Sequence, residues 1–321
     1  MLKRLMVRIK DYVRRSETDI KDYMRRSETD MRIAAALSRA AATATIRSID
    51  PTDPASWEFA GFSQHGEDGI LDYLCSCMVS RNRFFFEIGS GEGVENCTAW
   101  LAHARGYGGV MVEGDPVLLE RCRKSLEGRI FNVHAVNLMV DAENISSLMK
   151  LCPYRDPDVF VLDIDGIDYY VMKRVLELDF RPKLIVVEYN SSFGPDRAVT
   201  VPYKQGFSRW KEHPTGLFYG VSIAAWRALL GQHRYSFITV DTSGTNALFL
   251  DQSAFPDGFM SAIRGTSFLD NLGDLNGATR PYKDASGDLV LPLRDWKRQL
   301  EQLADANFVE ISAPKVAETV S

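Results

Sequence analysis

The sequence holds no uninterrupted apolar run of about eighteen residues, so no membrane-spanning helix is expected. Its first residues, MLKRLMVRIK, lack the unbroken apolar segment of a secretory signal. A cytoplasmic chain is the default expectation. Cysteine is scarce: the five are Cys75, Cys77, Cys97, Cys122 and Cys152. They include no pair of C-x-x-C motifs, so neither a zinc site nor a disulfide framework is indicated. Positive charge is lacking from most of the chain as well. The net charge is −5, but residues 1–47 carry twelve Lys or Arg against six Asp or Glu, leaving −11 on the remainder. That balance argues against nucleic acid as a partner of the main domain. What is left is an ordinary soluble composition, 45% hydrophobic and 25% charged over 321 residues, enough for one large core with appendages.

The chain opens on an internal repeat, IKDYVRRSETD at Ile9–Asp19 followed by IKDYMRRSETD at Ile20–Asp30. Ile9, Val13, Ser16, Ile20, Met24, Ser27, Met31 and Ala35 fall on one narrow seam of a long helix over residues 1–48. A period of eleven gives about 3.67 residues per turn, hence a nearly straight or slightly right-handed supercoil. So narrow a seam does not stabilise a lone helix, so it should pack against another copy or against the main domain; the first, a coiled-coil oligomerisation segment in a homo-oligomer, is the expectation taken here. The competing reading is a basic amphipathic helix, with Leu2, Leu5, Met6 and Ile9 beside Lys3, Arg4 and Arg8, lying peripherally on the inner face of a membrane. Residues 49–61, with Pro51 and Pro54, read as a linker.

From Phe62 the pattern is that of a globular domain. FSQHGEDGILDYLCSCMV predicts a helix whose polar entrance carries Gln64, His65, Glu67 and Asp68. Acids suit the positive end of a helix, whereas Gln64 and His65 are placed to reach a ligand at the neighbouring turn. That turn is FFFEIGSGEG, Phe84–Gly93: an apolar run ending in Glu87 and breaking into Gly89, Gly91 and Gly93. Glycines directly after a buried strand allow positive φ and close approach of a ligand. A helix over residues 95–105 would then offer its free N–H groups.

Strand and helix alternate thereafter. Strands are expected at residues 84–88, 109–112, 130–136, 159–164 and 184–188, and helices at 117–126, 144–151, 169–178 and 221–230. A closing hairpin joins 235–240 to 246–250. Such alternation implies a doubly wound α/β sheet with right-handed crossovers. Residues 190–220 form a long irregular stretch, expected to be a substrate wall or lid. Residues 251–321 are a less legible extension, read as a lid or an interface.

In open α/β sheets ligands bind beyond the carboxyl ends of the strands. The acids there are Glu87, Glu113, Asp163, Asp165 and Glu188, with Asp168 and Asn190 close by. Glu113 follows the second strand, about twenty residues after the turn, where a carboxylate meets the hydroxyls of a ribose.

The order E-x-G-x-G-x-G, VEGDP, VLDIDGIDYY, IVVEYN resembles class I S-adenosylmethionine-dependent methyltransferases, most closely their FkbM-type group, over Phe62 to Leu250. The resemblance implies a Rossmann-like seven-stranded sheet ending in an antiparallel strand. It implies that Glu87, Gly89, Gly91 and Gly93 underlie the methionine part of the cofactor, with Gln64 and Asp163 nearby. Glu113 would hold the ribose, and Asn137 would open the 137–144 segment bordering adenine. The G-x-G-x-x-G pattern of nicotinamide sites is not matched, which counts against a dehydrogenase.

Carboxylates converging in one cleft repel each other unless a proton or cation intervenes. Hard oxygen ligands suit Mg²⁺, Ca²⁺ or Mn²⁺, and the candidate set is Asp163, Asp165, Glu188 and Asn190. Metal-dependent O-methyltransferases of the catechol and macrocin type are similar, although their Asp-Asn or Asp-Asp pair after the fifth strand is replaced here by Glu188-Tyr189-Asn190. The alternative is an Asp163–Asp165 turn that holds substrate hydroxyls without metal. The candidate catalytic groups are Asp163, Asp165 and, as a general base from the long loop, His213. The expected activity is O-methylation of a hydroxyl on a sugar, polysaccharide or secondary metabolite. The alternatives are an N-methyltransferase and a non-catalytic scaffold with a methyltransferase-like fold.

Overall fold

The two central strands, Phe84–Ile88 and Val159–Leu162, are buried along their whole length, and alternate residues feed two cores on opposite faces of one sheet. A computed structural model describes residues 2–271, 282–283, 286–290 and 295–312. Within these, the side chains of residues 2–9, 11–19, 22, 25, 282–283 and 289–290 lie outside the description. The elements in chain order are α1 (Leu2–Ile46), α2 (Glu67–Cys77), β1 (Phe84–Ile88), α3 (Ala99–Arg105), β2 (Gly108–Glu113), α4 (Pro116–Leu126) and β3 (Val133–Asn137). Next come α5 (Ile145–Met149), β4 (Val159–Leu162), α6 (Asp168–Glu177), β5 (Leu184–Glu188), β6 (Val199–Thr200), α7 (Arg209–Glu212), α8 (Ile223–Gln232), β7 (Tyr235–Val240) and β8 (Asn246–Asp251).

The sheet has seven strands in the order β3-β2-β1-β4-β5-β8-β7. Its first five are parallel, whereas β8 runs antiparallel to β5 and pairs with β7 in the closing hairpin. Phe85, Met111, Val161 and Val186 point into a core with α2, α3 and α4; Phe86, Val112, Phe160 and Val187 point into one with α5, α6 and α8. This is a doubly wound, Rossmann-like α/β sheet, and the strand order reverses between β1 and β4. A ligand crevice at the carboxyl ends is centred on that reversal.

The N-terminal region packs on the main domain. The long helix forms, but its docked face is Ile33, Ala36 and Ala40, not the repeat's seam; Ile20, Met24 and Met31 are exposed. The seam side chains of Ile9, Val13 and Ser16 lie outside the described residues. Residues 49–61 are no linker. Trp57 is fully buried and donates its indole N–H to the Asp50 carbonyl, and Phe59 joins the core. An indole of this size is worth roughly 3–5 kcal/mol when buried, which outweighs the helix-breaking role of the two prolines. Beyond β8, the described part of the extension packs on the domain: Trp296 sits against Gly194, while Leu303 and Phe308 pack with Phe193 and Phe218. Among the described residues no helix is long and apolar enough to cross a membrane.

Candidate active site

Two adjoining cavities open at the carboxyl ends of β1, β2, β4 and β5. Both are lined by Gly89, Gly91, Leu118, Asp163 and Arg209, so they are two ends of one crevice. The smaller, about 500 Å³, is bordered by Glu113, by Leu138, Met139 and Val140 after β3, and by Trp210. The larger, about 910 Å³, is bordered by Gln64, His65, Glu87, Asn96, Glu188 and Asn271.

The glycine turn is shaped for this place. Gly89 has φ +90°, and a Cβ there would fall on the Asp163 carbonyl oxygen, so only glycine lets the ends of β1 and β4 close up. Gly91 has φ +54° with open space where a Cβ would be, and its N–H donates to Glu113 Oε2 at 2.8 Å. The other oxygen of Glu113 accepts the Asp115 N–H at 2.8 Å. Glu113 thus holds the turn and the start of α4 while facing the smaller cavity. Gly93 does different work: it faces Cys122 and Ser125 of α4 and borders neither cavity. Asn137 likewise lines neither; its Nδ2 donates to the carbonyls of Glu113 and Gly114, at 2.8 and 3.2 Å. It secures the backbone after Glu113, and its successors Leu138–Val140 form an apolar wall of the smaller cavity.

Glu87 is buried, and its carboxylate accepts from Asn96 Nδ2, the Thr98 hydroxyl and, at 3.0 Å, the Cys97 N–H. Burial pushes it up to about 7 despite these bonds. This corrects the expectation of free helix N–H groups at residue 95. The chain stays in turns until α3 begins at Ala99, and the Cys97 N–H there is taken by Glu87. The acid near the end of β1 ties down residues 96–98, the end of the loop.

Asp163, Asp165 and Glu188 converge, with carboxylate oxygens within 4.8 Å of one another. Burial first, then Asp165 and the other neighbouring acids, raises Asp163 well above the usual carboxylate range. Burial and Asp163 do the same to Glu188. Three mutually close acids cannot all ionise without compensation. Asp165 is compensated by Arg209, whose guanidinium donates to it at 2.6 Å and lies 3.5 Å from the centre of the Tyr219 ring. Tyr219 in turn donates to Glu188 Oε1 at 3.3 Å. Asp165 itself adopts φ +53°, a left-handed conformation fixed by Asp168, whose carboxylate accepts the N–H groups of Ile164 and Gly166, each at 2.9 Å.

No protein-family model matches the sequence, and neither does a curated protein. Solved methyltransferases are similar to it at low identity and TM-scores below 0.5. An O-methyltransferase from Bacillus cereus in complex with SAH is 17% identical, covering 69% of this chain and 91% of its own, with a TM-score of 0.40. The CurJ carbon methyltransferase is 11% identical over 74% of this chain and 70% of its own, with a TM-score of 0.39. The N-terminal domain of EvdMO1 with SAH bound is 15% identical over 65% of this chain and 82% of its own, with a TM-score of 0.36. At such identities a shared ligand does not follow from likeness, and the site's own residues decide what it can bind.

Of the remaining expected residues, Gln64 borders the larger cavity, but Asn190 and His213 are not brought to the acids. Asn190 Nδ2 donates to the carbonyls of Leu217 and Tyr219, at 2.7 and 2.9 Å, and its Oδ1 accepts the Ser192 N–H at 2.9 Å. Both its polar atoms are engaged in shaping the long loop. His213 is buried against Phe218, with Nδ1 at 2.7 Å from the Thr215 hydroxyl and Nε2 at 3.3 Å from Asp305. It borders neither cavity and is a packing residue of the loop. The residue missed in the sequence is Arg209. Its setting, a basic residue before Trp210 in a stretch with no period, carried no pattern to single it out.

Proposed function

We propose that this chain is an S-adenosylmethionine-dependent O-methyltransferase, of the FkbM-like kind, acting on a hydroxyl of a sugar, polysaccharide or polyhydroxylated secondary metabolite. The observation that carries the reading is the single crevice whose two ends meet at Gly89, Gly91 and Asp163. Adenosine fits the end bordered by Glu113 and the Leu138–Val140 wall, with the remaining lone pairs of Glu113 available to the ribose hydroxyls. The methionine part fits the polar end beyond the glycine turn, and the acceptor approaches across the Asp163–Glu188 pair.

Methyl transfer needs an oxygen nucleophile held in line and relieved of its proton. Asp163 and Glu188, with raised pKa values, are strong bases for carboxylates and share a hydrogen bond; one of them takes the proton of the acceptor hydroxyl. Asp165, paired with the Arg209 guanidinium at 2.6 Å, orients the acceptor. The donor set of Asp163, Asp165 and Glu188 also fits a hard divalent cation, which when bound would lower the acceptor hydroxyl's pKa. The exposed Ile20, Met24 and Met31 of α1 support assembly of further copies through that helix.

The test uses methyl-deuterated S-adenosylmethionine with polysaccharide fragments as acceptors, followed by mass spectrometry. The expected label is on a hydroxyl oxygen; label on nitrogen or carbon contradicts the proposal. Metal is tested in the same assay. Transfer unchanged by chelator shows that the carboxylates work without a cation.

A further inference from the structure

We propose that the C-terminal half of α1 is a wall of the cofactor site, with Arg32 acting as a positioning residue for the glycine turn; this rests on the cofactor assignment above. Arg32 reaches across from α1 and donates to Glu92 at 2.7 Å and to Glu95 at 2.7 Å. Glu92 lies between Gly91 and Gly93, so the ion pair grips the turn at its tip. A second cation, Arg121 of α4, pairs with the other oxygen of Glu92. The turn is therefore held between two helices by one carboxylate.

One turn-pair further along α1, Arg39 donates to the Gly61 carbonyl at 2.8 Å and itself borders the larger cavity. Gly61 is where the chain passes closest to the helix: a Cβ there would lie 2.7 Å from that of Ala40. The segment it opens, residues 61–63, is gathered by Asp68, which accepts N–H bonds from Gly61, Phe62 and Ser63. Phe62, Ser63, Gln64 and His65 form the cavity wall opposite the turn. One helix thus anchors both banks of the methionine end.

Three positive-φ glycines give the turn little rigidity of its own. Restraint from outside therefore lowers the ordering cost of binding. A merely structural ion pair would act on the melting midpoint alone, whereas a positioning pair acts on cofactor affinity.

The experiment is calorimetric titration of the full-length chain with S-adenosylhomocysteine. Arg32→Ala is expected to raise Kd about three- to tenfold, the range typical of couplings between contacting groups. Arg32→Lys, which retains a cation near Glu92, is expected to fall between. Arg26→Ala is the control: it removes the 3.2 Å pair with Glu127, on the same helix but away from the turn, and leaves Kd unchanged. An Arg32→Ala chain that binds within twofold of wild type overturns the inference, and if Arg32→Ala does not fold, Arg32→Gln, which also removes the cation, decides in its place by the same threshold. Wild-type chain that binds no S-adenosylhomocysteine overturns the cofactor assignment and the inference with it.

Discussion

One carboxylate of Glu113 serves the Gly91 N–H, the Asp115 N–H and the cavity at once, and in the proposed function cofactor recognition turns on it. Glu113→Ala is expected to weaken S-adenosylhomocysteine binding about ten- to a hundredfold, the consequence of losing charge-assisted bonds worth about 1.5–3 kcal/mol; calorimetry measures it. Asp165 separates strain from charge. Its φ of +53° suits asparagine but costs alanine about 1 kcal/mol. Both substitutions lose the Arg209 ion pair, so Asp165→Ala is expected to melt below Asp165→Asn, by about 1–2 °C for a chain of this size. Buried acids also set the pH response. Burial pushes Glu58, Asp68 and Glu87 up to about 7. Such raised carboxylates favour the folded state below their ordinary range and lose that contribution as pH climbs through about 7. Stability is therefore expected to fall between pH 5 and 8, and Glu58→Gln to flatten the profile; melting curves across that range check it. At this scale the sequence was legible where strand ends named the acids. It was illegible where a polar side chain turns inward to the backbone, as Asn190 does, since nothing in spacing distinguishes a loop-shaping amide from a ligand.

The elements followed from period and punctuation. All seven strands of the sheet and the helices between them stand within a few residues of their expected positions, because an apolar run closed by Gly or an acid marks every strand end but that of β3, which closes on Asn137. Helix α3 is the exception at its start: the buried Glu87 competes for the amide donors that a longer helix would have used. In α1 the repeat dominated the pattern and drew attention to its own seam. The face that docks, Ile33, Ala36 and Ala40, lies just beyond the repeat and shows only as small residues. Two truncations follow from this. Removal of residues 1–25 is expected to leave the melting midpoint unchanged, whereas removal of 1–47 strips the docked face and lowers it, on the order of 10 °C. Charged substitutions at Met24 and Met31, both exposed, are expected to reduce the assembled mass seen by light scattering without lowering that midpoint.

For the whole molecule, the fold places two cavities where the strand order reverses, and it covers them with parts distant in sequence: α1, the loop bearing Arg209, and Asn271 of the extension. That convergence of remote segments was the least legible feature, because each lacks a period of its own and gains meaning only when the sheet sets it beside the others. The account stands on the crevice being a cofactor site. Calorimetric titration of the intact chain with S-adenosylhomocysteine tests this most directly. Binding with one site per chain, weakened by Glu113→Ala, is the expected result; a folded chain that takes up no S-adenosylhomocysteine would contradict it.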